Sequence, residues 1–116
     1  MRIENQTRET VLATDAIAAN TSQKRRTGLL KHSSLPKGEA LWIVPCEGVH
    51  SFFMKFAIDV VYLNKKRQVL KIVPNWRPWR VSMCIRAHSV LELPAGMAEE
   101  TQTQRGDQLL FIKNGA

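Results

Sequence analysis

The sequence predicts a mainly β domain of the α+β type: a compact antiparallel β-sandwich or partly open barrel with one or two short helices. Three observations carry this expectation. Apolar residues recur in short runs of strand length: Leu41 to Val44, Ile58 to Leu63, Gln68 to Val73, Ser89 to Leu93 and Leu109 to Lys113. Turn-forming residues punctuate them at Pro36-Lys37-Gly38, Pro45, Asn64 to Arg67 and Gln104 to Asp107. Only two stretches have helical character. Seven or so short strands with two helices describe a layered β domain.

In chain order, Arg2 to Gln6 and Thr10 to Ala13 are candidates for an opening hairpin; residues 1–20 are expected to be strands or an irregular lead-in. Asn20 or Thr21 then starts a helix, with Gln23 paired to Asn20 as a loose capping box. This helix is expected to run through Lys24, Arg25 and Arg26 to Leu30, with Leu29 and Leu30 as its apolar face. Gly28 sits inside it at a cost of about 1 kcal/mol relative to alanine, which predicts a close backbone approach there. Leu41 to Val44 reads as a central strand covered on both faces, ended by Pro45.

From His50 to Phe56 an extended chain would place His50, Phe52, Met54 and Phe56 on one face. The next two runs form a hairpin around Asn64-Lys65-Lys66-Arg67, with Leu70 and Ile72 facing one way and Lys71 the other. PNWRPWRVSMC, with two prolines, is expected to be a loop carrying Trp76 and Trp79. Pro94 then opens a short helix through Ala95, Met97, Ala98 and Glu100. Residues 113–116 are expected to be a flexible tail.

At 116 residues the chain supports one domain, 1–116, with one core. Its apolar fraction of 44% is that of a globular protein rather than a disordered one. Cys46 and Cys84 are too few for a disulfide framework and are expected to be reduced thiols. The N-terminal stretch has no apolar core segment, so it does not read as a signal peptide, and no run is long enough for a membrane span. These features predict a soluble, cytoplasmic monomer.

The ordered set of motifs resembles the domain of unknown function 192 family from about Arg26 to Phe111. It comprises Arg26 to Leu30, Pro45-Cys46 with Val49-His50, Phe53-Met54 before Ile58-Asp59, Pro78-Trp79-Arg80, Leu91 to Gly96 and Gly106-Asp107. The resemblance implies a β-rich sandwich-like fold and no particular reaction. Two departures stand out. Ala57 replaces a proline common in that family before Ile-Asp, and Asn64 to Arg67 replaces an acidic Asp/Gly turn.

Candidate functional residues fall into four groups. The first is a ligand-binding set of His50, Trp79, Arg80 and Glu92 around the PCEGVH run and the WRPWR loop. Its ligand would be a small molecule or a protein segment, and this binding module is the leading functional reading. The second is a structural ion pair between Arg26 and Asp59, which the resemblance carries together and which would tie helix to sheet.

The third group is chemical. Cys46 and His50 share the four-residue spacing of Cys84 and His88, and two thiols with two imidazoles suffice for tetrahedral zinc. No cofactor is otherwise implied, and the spacing is not that of a zinc knuckle. Cys46 with His50 could alternatively form a nucleophile pair.

The fourth group is electrostatic. Net charge is +7, with a pI near 9.9, and Lys24-Arg25-Arg26, Lys65-Lys66-Arg67, Arg77 and Arg80 are its clusters. With Trp76 for base stacking, they make a candidate nucleic-acid surface. Each group also has a plain structural reading: a core histidine, two tryptophans closing one end of the core, or charges that keep a surface solvated.

Overall fold

The computed structural model describes residues 1–29 and 32–114, except the side chain of Arg26. Ten strands and two helices occur among the described residues. They are β1 (Arg2–Asn5), β2 (Thr10–Ala13), β3 (Asp15–Ala19), α1 (Ser22–Thr27), β4 (Glu39–Ile43), β5 (Gly48–His50), β6 (Ile58–Leu63), β7 (Val69–Trp76), β8 (Val81–Met83), β9 (Ser89–Pro94), α2 (Met97–Glu100) and β10 (Leu109–Ile112).

A five-stranded sheet, ordered β3-β4-β9-β6-β7, forms the centre. Its two faces are clad differently. On one side the three-stranded sheet β10-β1-β2 supplies Ile3, Leu12 and Leu109, which pack with Val61, Leu63, Leu91 and Leu93. This is the sandwich. On the other side Val60, Tyr62, Val90 and Ile43 pack with Leu29, Met54 and Trp76, which lie after α1, in a loop and at the end of β7. The two-stranded ribbon β5-β8 sits over that second face, where the buried Tyr62 hydroxyl donates to Ser82 Oγ at 2.9 Å.

The alternation of β6 and β9 explains this division. Val61 and Leu63 of β6 enter the sandwich while Val60 and Tyr62 face the ribbon; on β9, Leu91 and Leu93 take the first side and Val90 the second. All six residues of β6 are buried, as befits a strand covered on both faces.

The sandwich reading holds, with amendments. The sheets do not close into a barrel, and β3 pairs with β4 in parallel, from Asp15↔Glu39 to Ala19↔Ile43, so the central sheet is mixed rather than antiparallel. β4 lies next to an edge and keeps Leu41 and Trp42 half-buried, so it is not covered throughout on both faces. β3 itself gave no sequence signal because Asp15-Ala16-Ile17-Ala18-Ala19 is alanine-rich and leaves Ile17 exposed.

Helix α1 is shorter than expected. Thr21, not Asn20, is its N-cap and accepts the Lys24 amide at 3.1 Å. Gly28 ends it at φ +46°, and an added Cβ there would meet only Arg25 O at 3.8 Å. Gly28 therefore serves its positive-φ backbone rather than close packing. Leu30, the other half of the expected apolar face, lies outside the described residues, as do Gly115 and Ala116 of the expected tail.

The β6–β7 hairpin forms as expected, and Asn64 Oδ1 accepts the Lys66 and Gln68 amides at 2.9 Å to shape its turn. A register shift between Tyr62 and Leu63 accompanies a departure from simple alternation: Leu70 and Ile72 pack into opposite halves of the core. The expected extended run from His50 to Phe56 stops at His50. Met54 N donates to Ser51 O at 3.1 Å and Phe53 adopts φ +66°, a turn that buries Met54 and exposes Phe52 and Phe53.

PNWRPWRVSMC is only partly a loop. Pro74, Asn75 and Trp76 complete β7, and Val81–Met83 form β8. Pro94 ends β9 instead of opening α2, whose N-cap is Gly96 at φ +95°.

Candidate functional site

A cavity of about 780 Å³ opens on the second face of the central sheet. That is within the roughly 300–1,000 Å³ of small-molecule sites. Its walls come from α1 and the residues after it (Arg25, Thr27, Leu29), from the end of β4 (Ile43), from the Pro45–His50 segment and from Met54. Glu92 of β9 stands in its wall. Strand alternation puts it there: with Leu91 and Leu93 turned into the sandwich, Glu92 lies opposite Val60 and Leu41 in the register.

Glu92 is 4% exposed, and its carboxyl has no hydrogen-bond partner among the described residues. Burial pushes its pKa up to about 8. At neutral pH it is therefore mostly a protonated acid, able both to donate and to accept a hydrogen bond.

Cys46 shares the cavity. Its thiol donates to Gly48 O at 3.0 Å, and burial is the largest influence raising its pKa, with Glu92 adding to it. No hydrogen bond joins Cys46 to His50 among the described residues, and a thiol held protonated is a poor nucleophile. The arrangement does not build the activated Cys–His pair. Arg25 spans the rim, donating to Asn20 O at 3.1 Å and to Val44 O at 3.4 Å, and so fastens α1 to the end of β4.

The ligand-binding set inferred from sequence is divided. His50 and Glu92 line the cavity together, whereas Trp79 and Arg80 do not. Trp79 connects to it through stacked rings: His50 lies 5.2 Å from Phe52, Phe52 lies 6.0 Å from Trp79, and Phe53 meets Trp79 edge-on at 4.8 Å. The two tryptophans separate, Trp76 buried in the core and Trp79 exposed, so they do not jointly close one end of the core.

The zinc quartet is also split. Cys46 and His50 line the cavity, His88 lines a second concavity of about 450 Å³ with Lys65, Lys66 and Arg86, and Cys84 packs towards the core. Among the described residues, no three His, Cys, Asp or Glu side chains gather as metal ligands.

Asp59 is buried and accepts three backbone amides: Asn75 N at 2.8 Å, Gly96 N at 3.1 Å and Ala98 N at 2.8 Å. It fastens the end of β7 and the start of α2 to β6. The Arg26 side chain of the expected ion pair lies outside the described residues. Among the basic clusters, Arg67 packs over the Trp42 and Phe111 rings at 5.0 and 4.5 Å, while Lys65 and Lys66 are exposed. Lys24 and Arg25 belong to α1, and Arg77 and Arg80 flank Trp79.

Sequence reasoning missed Arg25, Thr27 and Leu29 as cavity residues, because the Arg26 to Leu30 motif marks the family without marking which residues in or beside it wall a cavity. It also missed Asp107, which is buried and bound by Asn5 Nδ2 at 3.0 Å, Arg8 Nε at 3.1 Å and Gln104 N at 2.9 Å. Burial pushes its pKa up, but Arg8, Asn5 and the Gln104 amide outweigh it and hold the carboxyl below the usual range.

The family model DUF192, described as an uncharacterized ACR, matches residues 3–111. The chain belongs to the DUF192 family. A UPF0127 protein of Pyrococcus horikoshii is 29% identical over 100 residues, covering 81% of this chain and 84% of that protein. One from Pyrococcus furiosus is 33% identical over 92 residues, covering 74% and 77%. Two crystal structures share the fold. A Novosphingobium aromaticivorans protein of unknown function has a TM-score of 0.82 at 18% identity, covering 95% of this chain and 82% of its own. A Sinorhizobium meliloti protein proposed to be a transcription regulator has a TM-score of 0.82 at 16% identity, covering 94% and 89%. At these identities the likeness extends to the fold alone. Among the described residues, no helix is long and apolar enough to cross a membrane.

Proposed function

We propose that this DUF192 domain is a binding module for a small polar ligand, seated between α1, the Pro45–His50 segment and β9. The observation that carries this reading is Glu92: a carboxyl 4% exposed, without a described partner, in the wall of a 780 Å³ cavity. A carboxyl held in a cavity wall can take up a ligand hydroxyl, amide or ammonium. Leu29, Ile43 and Met54 offer the apolar remainder of the site, so the ligand would pair one polar end with a short apolar body. His50 at the wall leads to the ring row ending at Trp79, which would extend the site for a longer ligand.

A thermal-shift panel of amines, polyols, sugars, amides and nucleotides tests this. Ligands that bind the folded state raise the midpoint by mass action. The expected result is a compound that raises the wild-type midpoint, raises that of Glu92→Gln far less, and shields Cys46 from alkylation. A panel whose active compounds act equally on Glu92→Gln and leave Cys46 alkylation unchanged would place binding elsewhere.

A further inference from the structure

The exposed face of the β5–β8 ribbon is built from residues that normally lie inside a protein. Trp79, Val81, Met83 and Ile85 alternate along the chain, and each is more than half exposed, Ile85 at 78%. Within β8 the intervening Ser82 is buried against Tyr62, so Val81 and Met83 stand on the outer side of the strand. Val81 and Met83 belong to β8 itself, and Trp79 and Ile85 carry the stripe past either end of that strand. Phe53 and Phe52 continue it through their stacking on Trp79. No sheet or helix lies above the stripe among the described residues, and a run of exposed large apolar side chains on one face marks an interaction surface.

Charge says what kind of surface it meets. Between Gly48 and Leu91 stand eight Lys or Arg and a single acid, Asp59. Asp59 is buried. The rest of the chain holds nine residues of each sign, so the whole excess of +7 belongs to the segment that carries the stripe. The structure places several of these charges beside it. Arg80 lies between Trp79 and Val81, Lys71 Nζ donates to Met83 O at 3.0 Å, and Arg86 follows Ile85 and shares a concavity with Lys65 and Lys66. Glu47, whose carbonyl accepts the Cys84 amide, is an acid at the ribbon's far end.

We propose that this face docks on an anionic phospholipid surface, with Phe53, Trp79, Val81, Met83 and Ile85 entering the headgroup–acyl boundary and the surrounding Lys and Arg meeting lipid phosphates. Aromatic and aliphatic side chains ringed by basic ones are what such a boundary accommodates. A nucleic acid would use the charges and Trp79, but it offers no apolar layer for valine, methionine and isoleucine. The ribbon is short and tied to Tyr62, so it would dock as formed, lying on the membrane rather than crossing it.

Sedimentation of the full chain with phosphatidylcholine vesicles, with and without phosphatidylserine, tests this directly. The protein is expected to bind the phosphatidylserine vesicles, to release in high salt, and to show a blue-shifted Trp79 emission that is absent in Trp79→Phe. Val81→Ser, Met83→Ser and Ile85→Ser together should weaken binding roughly tenfold or more. Arg86→Gln should weaken it roughly fivefold. All four positions are exposed, and circular dichroism should confirm that the variants fold. Absence of binding to phosphatidylserine vesicles, or binding that the triple serine variant leaves unchanged, would overturn the proposal. So would a stripe-dependent self-association without vesicle binding, or oligonucleotide binding that displaces the vesicles and ignores the serine changes.

Discussion

Replacing Glu92 by glutamine should flatten the pH dependence of stability, in a direction that can be worked out in advance. In the fold the Glu92 carboxyl titrates at about 8; in the unfolded chain it returns to an ordinary 4.5. A raised folded-state pKa means that its contribution is fully favourable below pH 4.5 and is lost as pH climbs through about 8. Over that window the unfolded chain has released a proton that the folded one retains, so each rise in pH favours unfolding. At about 1.36 kcal/mol for each pKa difference of one, the cost is about 3 kcal/mol at pH ~7 and levels off near ~5 kcal/mol above pH ~8. Against a total stability of about 5–15 kcal/mol, a loss of that size could bring the domain close to unfolding. Urea unfolding of wild type and Glu92→Gln at pH 5, 7 and 9 measures it, since the amide keeps the size and polarity but cannot ionise. From pH ~5 to pH ~9 the wild type should lose about 4 kcal/mol that the variant keeps. Parallel pH profiles for the two proteins would refute the reasoning, because they would mean that Glu92 titrates alike folded and unfolded.

Asp59→Ala should cost about 2–4 kcal/mol in urea unfolding, since it removes the buried acceptor of three amides, of which Ala98 N is buried and the other two partly so, with Asp59→Asn recovering part of the loss. Asp107 should act oppositely to Glu92: its lowered folded pKa gives stability present above pH 3.8 and lost as pH falls further, so Asp107→Asn should lessen the acid sensitivity measured between pH ~2 and ~4. Gly28→Ala should cost about 1–3 kcal/mol in the same assay, because φ +46° with ψ −125° is almost closed to a residue with a Cβ. Cys46 should alkylate more slowly than free cysteine at neutral pH, with its rate still climbing, rather than levelling off, as the pH passes 9.

The parts of the fold legible in sequence were those whose pattern is made locally. Ile58 to Val73 declared itself through two apolar runs and an asparagine turn, and both strands and the turn are present. Leu91-Glu92-Leu93 was legible too, since alternation alone places the acid opposite two leucines. What stayed hidden was decided by tertiary partners. β8 follows two prolines and carries its apolar residues outward, so nothing in its local pattern marks it as a strand; the pairing with β5 creates it. Alanine-rich β3 exists because β4 lies beside it. The cavity united His50 with Glu92 across the sequence but excluded Trp79 and Arg80, because the turn at Ser51 to Met54 redirects the chain and leaves only a row of rings between them.

The pairing of β1 with β10, from Arg2↔Ile112 to Asn5↔Leu109, sets the order in which this molecule can be finished. β1 has one edge closed by β10, the last of the described strands. Asn5 and Arg8 meanwhile wait for the carboxylate of Asp107. Until that late segment emerges, Ile3 and Leu12 have no Leu109 to pack against, and one face of the central sheet remains open. Contacts of such long sequence separation favour slow closure over early local folding. Interrupting synthesis before Asp107 should therefore leave a protease-sensitive chain rather than a shortened but settled domain.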